Sequence, residues 1–80
     1  MILDERKMLN LVKRNPKTTF AEIKSFLNFH NRAGTGEVGI KCGSNREIRT
    51  QVARAAFEEG ATCHYDYIYD QGLIIVETNI

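Results

Sequence analysis

The chain has no Lys or Arg after Arg54, one proline, two cysteines, and no apolar run longer than the four residues 73–76. Each shortage excludes something. A helix needs about 20 apolar residues to cross a bilayer, so no membrane role is expected. Two cysteines, Cys42 and Cys63, fall short of the disulfide frameworks that staple small secreted domains. Both read as free thiols on strands, with a Cys42–Cys63 bridge or a redox role as the alternative. Cys42, Cys63, His30 and His64 are the only soft metal ligands, and none forms a C-x-x-C or H-x-x-x-H pair. Strand alternation also sends Cys63 and His64 to opposite faces. No metal and no cofactor is expected. The N-terminus, Met-Ile-Leu-Asp-Glu-Arg, lacks an apolar signal core. The expectation is a cytoplasmic protein read from a complete small open reading frame.

What is present fits one small soluble domain spanning residues 1–80. Hydrophobic residues make up 42% and charged residues 26% of the chain, ordinary proportions for a globular protein. A domain of this length buries only about 60% of its unfolded surface. The net charge of +1 hides an asymmetry. Residues 1–57 hold all 11 Lys and Arg beside Asp4, Glu5, Glu22, Glu37 and Glu47, giving +6. Residues 58–80 hold Glu58, Glu59, Asp66, Asp70 and Glu77 and no Lys or Arg, giving −5. The molecule is expected to have a basic side and an acidic end.

Patterning predicts three helices and a closing hairpin. Residues 4–14 read as a first helix. Asp4 is an N-cap, Leu3 and Met8 stand at staple spacing, and Met8, Leu11 and Val12 form a buried stripe. Pro16 pushes Asn15 out of helical geometry and ends it. A second helix starts at the T-x-x-E capping box Thr19–Glu22 and runs to residue 28 or 30, with Phe20, Ile23 and Leu27 on its apolar face. Residues 31–43 form a Gly- and Asn-rich connector. Within it, Val38, Ile40 and Cys42 alternate with polar residues as a short strand over 37–42. A third helix over 44–59 opens on the box Ser44–Glu47, buries Ile48, Val52, Ala55 and Ala56, and stops at Gly60. Residues 61–68 and 73–78 are rich in β-branched and aromatic side chains and pair as a hairpin, with turn chemistry at 69–72 including Gly72.

That order resembles a winged helix-turn-helix domain. Residues 18–23 resemble the start of its positioning helix, residues 44–60 its recognition helix, and residues 61–78 the wing. Two departures stand out. The turn between the second and third helices is about 13 residues where the motif uses three or four, and the wing carries no Lys or Arg. A fainter resemblance is to small bacteriophage host-takeover proteins that bind host transcription machinery. It rests on chain size, the Arg-Asn-Pro-Lys-Thr junction and the helix–hairpin ending. The fold class expected is therefore α+β, a small winged-helix-like domain of three helices and a C-terminal hairpin.

The third helix carries the candidate site. Arg46, Arg49, Thr50, Ala53, Arg54 and Phe57 lie opposite Ile48 and Val52 at 100° per residue. Arginines and a threonine on one helix face suit base edges and phosphates, and Asn45 stands at its start. Lys13, Arg14 and Lys17 are candidates for supporting phosphate contacts. A solvated helix face is the plain alternative. Phe57, with Tyr65 and Tyr67, is a candidate protein interface, since aromatics and Arg anchor such contacts. Gly34–Gly39 matches G-x-G-x-x-G, but it follows a helix and opens a strand, the reverse of a dinucleotide fingerprint. It reads as a loop. His64 and Asp66 share a strand face without a positioned nucleophile, so no catalytic residue is expected. The function expected is a DNA-binding transcriptional regulator using helix 44–59. The alternative is a protein-binding module, such as a phage inhibitor of host RNA polymerase or another host enzyme. The unpaired hairpin edge also suits a homodimer.

Overall fold

The structure, a computed structural model, describes residues 5–66 and 72–77, with backbone alone for 64–66. Its elements are strand β1 (Met8–Asn10), helix α1 (Pro16–Ala33), strand β2 (Glu37–Lys41), helix α2 (Arg46–Glu58), and strands β3 (Thr62–Asp66) and β4 (Leu73–Glu77). This is an α+β fold of two helices and a four-stranded mixed sheet. It replaces the three-helix, winged-helix-like arrangement expected from the sequence.

The difference lies in residues 5–14. They form a 3-10 turn (Glu5–Lys7) and then β1, and Asp4, the expected cap, lies outside the described residues. The stretch has two readable periods. Met8, Leu11 and Val12 fit a helix, but Leu9 and Leu11 also recur with the strand period of two. The second period wins because β1 finds a partner. It pairs in parallel with β2, Asn10 opposite Lys41, and the Leu11 amide donates to the Lys41 carbonyl at 2.7 Å. Leu9 then packs on the core and Leu11 is fully buried, whereas Val12 remains 45% exposed.

Pro16 opens a helix instead of closing one. Asn15 has extended backbone angles, and its side chain accepts from the Lys17 amide at 3.0 Å. Proline suits the first helical position because the N–H it lacks has no intrahelical partner there. Thr19, the expected cap, sits inside the first turns and is buried. Its hydroxyl donates to Gln51 Oε1 on α2 at 2.6 Å, with the Pro16 carbonyl 3.0 Å from the same oxygen. Helix α1 ends at Gly34, whose φ of 71° is the left-handed cap.

The 13-residue connector is occupied by β2, which lies between β1 and β4. The sheet order is β1-β2-β4-β3, with β2 and β3 both antiparallel to β4. The hairpin is formed as expected; residues 67–71 of its connection lie outside the described residues. Val38, Ile40 and Cys42 from the predicted strand are all buried, as are Ile74 and Val76 of β4. These side chains meet Ile23 and Leu27 of α1 and Ile48, Val52, Ala55 and Ala56 of α2 in one core. Each large aliphatic there contributes about 1.5–3 kcal/mol by leaving water. The buried face expected for residues 44–59 is the one observed. No helix among the described residues is long and apolar enough to cross a membrane.

Candidate nucleic-acid interface

Strands β1, β2 and β3 run in one direction and β4 in the other. The carboxyl ends of β1 and β2 therefore share one end of the sheet. Each leads through a short turn, residues 11–15 and 42–45, into a helix N-terminus. This topology gathers cations that are far apart in the chain. Lys13 and Arg14 come from the first turn, Lys17 from the start of α1, Lys41 from the end of β2, and Arg46 and Arg49 from the first turns of α2. Glu47 and Asp66 are placed at this end by their elements, Glu5 lines a groove with Asn10 and Lys41, and Glu22, further along α1, lies 3.7 Å from Arg14 in an exposed pair. Such a pair contributes about 0–1 kcal/mol and leaves Arg14 available.

One groove borders the 42–45 turn and a second runs along the start of α2. One, of about 660 Å³, is lined by Asn10, Val12, Lys13, Arg14, Lys41 and Gly43. The other, of about 450 Å³, is lined by Arg46, Arg49, Thr50, Ala53 and Ile74. Arg49 is close enough to Cys42 to act on its thiol. Burial pushes that thiol up, and the guanidinium and a backbone hydrogen bond pull it partly back.

The first-turn amides of both helices are already engaged. Asn45, and not the expected Ser44, is the N-cap of α2, and its side-chain oxygen accepts from Glu47 and Ile48 at 3.0 and 3.2 Å. In α1 the Asn15 side chain accepts from the Lys17 amide, and its carbonyl accepts from Thr18. Any anion held here would be held mainly by side-chain charge.

The expected helix face is split. Arg46, Arg49 and Thr50 line the second groove, whereas Arg54 turns to the α1 side and stacks over Phe20, 5.0 Å from the ring centroid. Thr50 donates its hydroxyl to the Arg46 carbonyl at 3.0 Å. Phe57 is 85% exposed on α2, so the hairpin does not cover it. The side chain of Tyr65 and all of Tyr67 lie outside the described residues. Lys41 is a member of this group that the sequence hardly marks. Its only signal is a polar place in a short alternating strand, and the parallel pairing that sets it beside Asn10 is long-range.

Cys42 and Cys63 are both free. Cys63 pairs across β4 with Val76, which pairs with Val38, four residues before Cys42. That offset, about 13 Å along the strand plus about 10 Å across it, is beyond disulfide reach. Among the described residues no three His, Cys, Asp or Glu side chains group as a metal site. No family model matches this chain, and neither a curated protein nor a solved structure matches it.

Proposed function

We propose that this chain is a small, non-enzymatic DNA-binding module of the kind used in transcriptional regulation. Arg46, Arg49 and Thr50 at the start of α2 form the centre of contact, with Lys13, Arg14, Lys17 and Lys41 beside them. One observation carries this reading. Cations from three separate segments converge at the positive ends of both helix dipoles, where fold stability alone favours acids. Each cation there opposes the dipole by about 0.3–1 kcal/mol, a cost that binding a polyanion offsets. Arginine and lysine at such a place suit phosphates. The experiment is retention of mixed genomic fragments at low salt by the wild type and by Arg46→Ala/Arg49→Ala. Strong weakening in the variant supports the reading, and no retention by the wild type ends it.

A protein partner is the second reading. It is favoured by Phe57, 85% exposed where α2 has no internal need of an aromatic. Asn45 belongs to the DNA reading, and Tyr65 and Tyr67 are carried to the protein reading on the sequence alone. Affinity capture with and without nuclease separates the two. A specific protein retained after nuclease, and absent with Phe57→Ala, favours this one.

A further inference from the structure

If the basic end of the sheet binds DNA, as proposed above, the state of its polar side chains restricts how. Reading bases in the major groove relies on amide side chains that pair with adenine in two places and on arginines that pair with guanine. The amides at this end are committed elsewhere. Asn10 Oδ1 accepts from the Val12 amide at 3.0 Å. Asn45 Oδ1 caps α2. Gln51 Oε1 is taken by Thr19, and the Thr50 hydroxyl by its own helix. Each of these bonds fixes the orientation of its amide, so the two-point match that distinguishes adenine would require breaking it, and base reading would fall to Arg46 and Arg49 alone.

The shape of α2 adds a second restriction. It lies flat on the sheet with α1 along one side. Its outward stripe, Arg46, Thr50, Ala53 and Phe57 at helical spacing, leads from the cation to the exposed phenyl ring. Glu47 borders the start of the helix, and Glu58 and Glu59 its end. Laid lengthwise in a groove, α2 would press Glu58, Glu59 and Phe57 against phosphates, whereas Glu47 stands near them in either approach. Approached end-on, the same helix meets DNA through Arg46 and Arg49, and the groove of Lys13, Lys41 and Gly43 beside the 42–45 turn comes into reach with them.

We infer that this end of the sheet holds duplex DNA by its phosphate backbone, Lys13 and Lys41 on one side of the 42–45 turn and Arg46 and Arg49 on the other. Binding is independent of base sequence. The first groove is thus a full half of the contact surface. Val12, exposed beside it, packs against sugar and not against a base.

The test uses the whole chain and three short labelled duplexes of unrelated sequence, followed by fluorescence anisotropy across a salt series. The three affinities are expected to agree within about tenfold. Lys13→Gln/Lys41→Gln, one change at an exposed and one at a half-buried position, is expected to weaken all three alike by about tenfold at low salt. It should also flatten the log K against log salt slope by about two, one for each phosphate that the variant no longer neutralises. Circular dichroism confirms that the variant is folded. A preference above about tenfold for one duplex overturns the inference, as does a variant whose slope equals that of the wild type. Failure of the wild type to bind any duplex at low salt removes the DNA reading itself and this inference with it.

Discussion

The guanidinium of Arg54 stands over the ring of Phe20 at 5.0 Å and so ties α2 to α1. Lys24 approaches the same ring at 5.8 Å and also pairs with Glu58 at 3.1 Å. Arg54 therefore serves the helix–helix contact. Arg54→Ala is expected to cost about 0.5–1 kcal/mol of stability, a fall of a few degrees in Tm for a chain this small. Its effect on DNA affinity should be within about twofold, against a clear loss for Arg46→Ala. Thermal melts and anisotropy on the two variants check this. A larger binding loss in Arg54→Ala would place Arg54 on the interface.

Gly72 adjoins the turn that shapes the candidate site. Its carbonyl accepts from the Cys42 amide at 2.9 Å and from the Cys42 thiol at 3.0 Å. Its φ is +67°, and a Cβ there would overlap the Gly43 carbonyl. Gly72→Ala combines a left-handed penalty of about 1–2 kcal/mol with backbone displacement, and is expected to cost at least about 3 kcal/mol. Gly36 has φ +89° but open space around its Cβ position, so Gly36→Ala should cost the conformational penalty alone. Denaturant melts of the two variants give the ranking, and equal losses would contradict it.

The two thiols should differ in reactivity. Cys42 is buried, whereas Cys63 is exposed on β3; desolvation pushes both thiols up, and Arg49 pulls Cys42 partly back. A disulfide reagent at neutral pH is expected to modify Cys63 before Cys42, which reacts only as the chain opens. A raised folded pKa also links Cys42 to alkaline stability. Below the unfolded value of about 8.5, both states keep the proton and the thiol adds no pH dependence. Above it the unfolded chain releases its proton first, so stability falls as pH rises toward the folded pKa. Cys42→Ala should reduce that alkaline loss in urea melts at pH 7 and pH 10; an unchanged difference between the two would dissociate the loss from this thiol.

The cap of α2 offers a direct comparison between neighbours. Asn45 accepts from two orphan amides, whereas Ser44 does not cap. Asn45→Ala is expected to cost about 1 kcal/mol and Ser44→Ala only a few tenths. The reverse order in thermal melts would move the cap back by one residue.

Much of this fold is legible locally. The buried face of α2, the strand around Val38 and Ile40, the hairpin and the glycine that follows α2 all follow from short-range periodicity and turn chemistry. Ser44 and Asn45 are both good caps, and only the path of the chain selects one. Pro16 ends one pattern or begins the next with equal local logic. Its role was decided by β1, which frees residues 11–15 to serve as a turn.

Sequence alone determined that this is a small α+β chain with its Lys and Arg confined to residues 6–54 and a C-terminal stretch without any. It could not determine whether residues 8–10 form helix or strand. A three-residue strand has no local stability, and its hydrogen bonds exist only once β2 lies beside it. That single long-range pairing replaced a helix with a sheet edge, filled the connector with an inner strand, and brought Lys41 against Lys13 and Arg14. The charges were written in the sequence, but their convergence at one end of the sheet was decided by tertiary structure.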